Sequence, residues 1–313
     1  MDAKITKQRL GNLLAYDWLK IVVCIAAAVA LLSIFFTMVG TTPTEAQTFE
    51  VYAYTDVGAG SDFYNMSDAF EEKKIFSYEI LESNFNSFSG NAYAGSAYTA
   101  RRAAGEGTAM FVTDVTVVDD DGNVTSESTL KAMTARESDG ACYGLYAGEE
   151  DTGGFWDTQY FIEVWCKEYL AKFYDTESYE KLEGFDARVE EHFLARNAKD
   201  KRFRSAAKKQ EGIVLEKARI ESLKNDYLAV RSALDDGKIS YRIVSYSDGD
   251  RCAGFDVSGL HGGLDNLVYR VADGTRTTDG VVLVLFFNER GAGNDLRMET
   301  LTFLRYLVET YGA

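Results

Sequence analysis

The chain has 313 residues, with 33 Lys and Arg against 49 Asp and Glu and a net charge of -16, a balance that sets its surface against nucleic acid and anionic headgroups. Hydrophobic residues make up 46% and aromatics 13%, enough for one large or two small cores, which excludes a disordered chain. The two histidines, His192 and His261, have no neighbours at zinc-ligand spacing and no CxxC pair occurs, so neither a metal nor any other cofactor is expected.

Residues 1–20 form a short tail carrying Lys4, Lys7, Arg9 and Lys20. Between Ile21 and Val39 the run IVVCIAAAVALLSIFFTMV has neither charge nor proline. At about 1.5 Å per helical residue it reaches about 29 Å, close to the hydrocarbon thickness of a bilayer. It predicts a transmembrane helix over 21–40, in contact with the lipid bilayer. The basic tail ahead of it predicts a cytoplasmic N-terminus and an extracytoplasmic remainder, a single-pass protein of the cell membrane. A signal peptide cut after Ala46 is the rival reading; its apolar region usually runs only about 7 to 15 residues. Cys24 reads as a small apolar residue of the helix.

Residues 41–48, with Pro43, read as a stalk, and 49–313 as an extracytoplasmic α/β domain. FEVYAY at 49–54 alternates as a strand and ends in the turn TDVGAGSD, after which Ser61 and Asp62 cap a helix through Phe63, Met66 and Phe70. A second strand is predicted at 76–81, a helix at 93–104 ended by glycines, and a third strand at 109–112. This alternation implies parallel strands with right-handed crossovers. Val115 to Val118 and Val124 to Ser128 flank Asp119-Asp120-Asp121-Gly122-Asn123, a hairpin turn rather than a calcium loop, because Val124 stands where an EF-type loop needs glycine.

Residues 154–236 form a helical middle. Apolar positions recur at threes and fours through Phe161, Trp165, Tyr169 and Phe173, then Phe185, Val189 and Phe193, then Ile220, Leu223, Tyr227 and Val230. The basic residues around Lys199 to Lys209 read as a solvated face paired with local carboxylates. Strands return at 239–246, 266–271 and 281–287; VVLVLFF in the last implies burial on both faces. A helix beginning at Asp295 closes the chain. Cys142, Cys166 and Cys252 are an odd set whose redox state the spacing leaves open.

No GxSxG elbow, phosphate loop or GxGxxG fingerprint occurs, and His261-Gly262-Gly263 has no matching serine, so no enzymatic activity is expected. In open parallel sheets ligands settle at the carboxyl ends of strands. That rule selects Thr55, Asp56, Ser61 and Asp62 after the first strand, Asn84 and Asn86 after the second, and Thr113 and Asp114 after the third. Trp156 is a further candidate, as a stacking surface, although its spacing to Tyr160 and Val164 equally makes it a core position.

The Thr55-Asp56 turn, the segment YTARRAAGEG from Tyr98 and the strand AMFVTD ending at Asp114 resemble the opening of type II extracytoplasmic solute-binding proteins of ABC importers. CAGFDVSGL, from Cys252 to Leu260, resembles a late loop of that family. The pattern of basic tail, anchor and acidic domain is also similar to single-pass membrane proteins of Gram-positive bacteria. The resemblance implies a periplasmic-binding-protein-like fold, a mostly parallel sheet with flanking helices, here behind a transmembrane helix. It implies capture of a small molecule or peptide without catalysis and handover to a permease. A scaffold or interaction subunit of an envelope membrane complex is the alternative, and an envelope hydrolase with a carboxylate site the weaker one.

Overall fold

A computed structural model describes residues 11, 18–39, 43–44, 47–90, 93–104, 106–118, 121, 124–138, 158–246, 249–286 and 298–312, at 21, 34–39, 118, 126, 135–138 and 246 as backbone only. The chain divides into two units, Met1–Pro43 and Thr44–Ala313. In the first, helix α1 spans Trp18–Val39. Among the described residues no helix is long and apolar enough to cross a membrane, which corrects the expectation of a transmembrane helix over 21–40.

In the second unit, β1 (Thr48–Ala53) and β2 (Gly58–Ala59) precede α2 (Ser61–Lys73), and β3 (Glu82–Ser87) precedes α3 (Ala94–Ala104). β4 (Ala109–Thr113) follows, then the hairpin β5 (Val117–Val118) and β6 (Val124–Ser126), and α4 (Thr129–Ser138). The middle holds a helical turn at Thr158–Tyr160, a π-helical stretch at Phe161–Trp165, α5 (Cys166–Leu170), α6 (Phe185–Arg196) and the long α7 (Ala206–Asp235). β7 (Ser240–Tyr246), β8 (Gly249–Asp256), β9 (Val268–Ala272), β10 (Thr275–Thr277), β11 (Val281–Leu285) and α8 (Glu299–Tyr311) complete it.

The main sheet has the order β3-β1-β4-β11-β8-β7. β1 is parallel to both β3 and β4, whereas β11 is antiparallel to β4 and β8, and β8 to β7. The sheet is therefore mixed, a correction of the mostly parallel, periplasmic-binding-protein-like sheet expected from the sequence. The reason is local: residues 247 and 248 alone separate β7 from β8, and so short a connection can only reverse the chain. β8 absorbs Cys252 to Asp256, so most of the expected late loop is a strand.

β1 alternates between two chemistries because successive side chains leave opposite faces. Phe49, with Phe85 of β3 and Phe111 of β4, packs around Phe303 of α8, with ring centroids at 5.5, 6.1 and 6.4 Å. Phe70 of α2 joins the same cluster, 6.1 Å from Phe303. On the other face Glu50 and Tyr52 meet α3 through Arg101. β11 is buried along its whole length between β4 and β8, as its unbroken apolar run implied.

Two stretches depart from expectation. The second strand is Glu82–Ser87 and not 76–81, which is a loop. α2 has Gly60 at its N-cap with no side-chain bond, so Ser61 and Asp62 are helix residues and not caps. Phe303 is wholly buried amid four aromatic partners. Phe303→Ala is expected to cost about 3–5 kcal/mol of unfolding free energy, through lost burial and the cavity left behind, as read by urea denaturation.

Candidate functional site

The polar side chains predicted at the strand ends come together only in part, and where they do they bond mainly to one another, although Asp56 Oδ1 is buried with no hydrogen-bond partner among the described residues. Asp56 Oδ2 accepts from the Thr113 amide at 3.2 Å and from Thr113 Oγ1 at 2.5 Å, which ties the end of β1 to that of β4. Asp114 accepts from Ser128 Oγ and, at 2.5 Å, from Arg242 Nε, and Arg242 lies 3.8 Å from Asp256. Asp62 accepts from the Tyr311 hydroxyl at 3.1 Å. Thr55 and Ser61 are exposed beside these contacts. This rim is a set of clamps between strands.

Asn84 and Asn86 lie within β3 and not beyond it. Asn84 donates to Glu82 at 2.9 Å; Asn86 donates at 3.0 Å to Glu50, which also accepts from Tyr52 at 2.7 Å and from Arg101 at 2.6 Å. Burial, with help from Glu106, raises the Glu50 carboxyl above its ordinary value despite Tyr52 and Arg101. Trp156 and Cys142 lie outside the described residues. Cys166 is buried, and burial pushes its thiol well up; Cys252 is buried with Sγ toward Gly254 O at 3.6 Å.

Among the described residues a cleft opens elsewhere, along the loop misread as a strand. Its outer part, about 330 Å³, is walled by Phe70, Phe76, Ile80, Leu81 and Leu215. Its inner part, about 240 Å³, runs from Ser77 past Leu215, Ala218, Arg219 and Ser222 to Glu299 and Thr302. Positions 215, 218, 219 and 222 share one face of α7 by helical spacing, which is why that helix lines the cleft along its length. Lys74, the left-handed C-cap of α2, turns the chain into the loop.

Beneath the cleft lies a buried ionic cluster. Arg219 donates from Nε to Glu299 Oε1 at 2.8 Å and from Nη1 to Glu216 Oε1 and the Tyr169 hydroxyl, both at 3.2 Å. Glu216 also receives the Tyr78 hydroxyl at 2.7 Å, His192 Nδ1 at 3.1 Å and Arg196 at 3.3 Å, and Arg196 pairs with Glu79. Ser77 Oγ donates to Glu299 Oε1 at 2.7 Å. Glu299 Oε2, buried, has no hydrogen-bond partner among the described residues. A readable signal did exist: Glu216 and Arg219 sit at helical spacing from Ile220 and Leu223, charges on an otherwise apolar stripe.

Burial alone would lift the Glu216 carboxyl, but the His192 hydrogen bond, the guanidiniums of Arg219 and Arg196 and the Tyr78 hydroxyl outweigh it, and its pKa falls from 4.5 to about 2. The folded value lies below the unfolded one, so this stability is present above pH 4.5 and is lost as the pH falls toward 2. The gap corresponds to about 3 kcal/mol. Thermal melts across that window are expected to show the loss, and Glu216→Gln to flatten it while lowering stability at neutral pH.

Compared with known proteins, the chain matches no family model, no curated protein and no solved structure.

Proposed function

We propose that the unit Thr44–Ala313 is a non-catalytic binding module for a small solute, and that its site is the cleft between residues 74–83 and helices α7 and α8. The observation that carries this reading is Glu299: a fully buried carboxylate on the cleft lining, anchored through one oxygen by Arg219 and Ser77 while the other has no partner. An apolar wall with a few convergent polar groups is the ordinary make-up of a ligand site. Two features favour binding over catalysis. Arg219 bridges Glu216 and Glu299, so the two carboxylates do not face one reacting centre as an acid–base pair would. Glu216, ionised far below neutral pH, is no proton donor there.

The test is thermal denaturation of the full chain against sugars, amino acids, amines and short peptides. A compound that binds the folded state raises the melting temperature by mass action, equivalent to about 2.7 kcal/mol at a hundred times its Kd. Ala218→Trp, at an exposed helix position on the cleft, is expected to abolish the shift by filling the site; Thr55→Ala, at the strand rim, is expected to leave it intact. A shift that survives Ala218→Trp and disappears with Thr55→Ala moves the site to the strand ends and overturns the assignment to the cleft.

A further inference from the structure

The cleft carries more than a site; its charges select what it takes. Three carboxylates, Glu79, Glu216 and Glu299, meet two guanidiniums, Arg196 and Arg219. His192 bonds to Glu216 Oε1, so even as an imidazolium it serves that carboxylate and not Glu299. The side chains of Glu216, Arg219 and Glu299 are 0 to 1% exposed, where a charge without a partner is costly. Two acceptors of the cluster have no hydrogen-bond partner among the described residues: Glu79 Oε1, which is ion-paired with Arg196, and Glu299 Oε2, on a residue that lines the inner cleft. Resting on the reading of the cleft as a binding site, we infer that its ligand is a small primary amine with an apolar body, its ammonium group seated on Glu299 and its body along the wall of Phe76, Ile80 and Leu215.

The alternatives are weaker on the same chemistry. A carboxylate or phosphate ligand needs donors, but Arg219 Nε and Nη1 already donate to Glu299, Glu216 and Tyr169, and Glu299 repels an anion. A hydroxyl can donate to Oε2 but brings no charge, so it lacks the Coulomb attraction that an ammonium group adds to the same bond. Lys74 lines both parts of the cleft and opposes a cation; Glu71 and Glu82 offset it in the outer part and Glu299 in the inner part. Size sets a further limit. The inner part, at about 240 Å³, falls below the roughly 300–1,000 Å³ of clefts that bury drug-sized ligands.

Three probes of one length separate these chemistries: hexylamine, hexanol and hexanoate, each titrated calorimetrically into the full chain at neutral pH, with melting temperature as a second readout. Hexylamine is expected to bind, hexanol at least about ten-fold more weakly, and hexanoate not at all. Ala218→Trp is expected to remove hexylamine binding, and Glu299→Gln to bring hexylamine and hexanol to near parity. Should Glu299→Gln fail to fold, the ranking of the three probes and its loss in Ala218→Trp decide the matter. Equal binding of hexanol or hexanoate, or a ten-fold preference that survives Glu299→Gln, overturns the amine assignment. If none of the three binds, the amine assignment fails. The binding reading then stands if another compound gives a shift lost in Ala218→Trp, and falls if none does.

Discussion

The Arg219 guanidinium, buried between Glu216 and Glu299, is the interaction on which the helical half of the domain depends. It joins α7 to the first residue of α8, while Glu216 gathers Tyr78 from the loop and His192 and Arg196 from α6. Removing ions from water costs several kcal/mol each, and only a closely bonded arrangement offsets that. Glu216 meets the condition, with four residues donating to it. Glu299, at the start of α8, gains from the helix dipole and from Arg219 and Ser77, yet retains one oxygen unsatisfied. The same cluster that fixes helix positions thus leaves one buried acceptor without a hydrogen-bond partner among the described residues.

The sheet provides the platform for that cluster. Its inner face, built on Phe49, Phe85 and Phe111, receives α8 through Phe303, and α8 in turn packs along α7. The opposite face is closed by α3, whose Arg101 partners Glu50 and whose buried Arg102 donates to Glu106 O at 2.6 Å and stacks over Phe286. The strand ends that the topology rule singled out are occupied by interstrand bonds. At Gly254 a Cβ would sit 2.5 Å from Leu283 O, so β8 and β11 approach closely there only because the residue is glycine.

Much of the fold was legible. β1, α2, α3, β4, the β5–β6 hairpin, β11 and the closing helix all lie where periodicity put them, within a few residues. The misreading of 76–81 has a physical source. FSYEIL is apolar because Phe76 packs against Phe49 at 4.4 Å and Ile80 and Leu81 wall the cleft, whereas ESNFNS of β3 is polar because it is an edge strand whose Asn86 meets Glu50. Local pattern reports burial, and burial in a loop looks like burial in a strand. β8 escaped notice for the converse reason: Cys252, Ala253 and Gly254 are small and lack the β-branched character of strands.

Composition and periodicity were enough to establish an acidic α/β chain, an apolar helix near its start, a helical middle and a fully buried strand near its end, because these follow from side-chain spacing along one segment. The direction in which β11 runs depends on which strands it meets, and no local pattern encodes that. The cleft is likewise assembled from residues 74–83, 215–222 and 299–302, which are far apart in the chain. Its chemistry arises because folding carries Glu216 and Glu299 out of water onto a single guanidinium, where each charge has to find a partner.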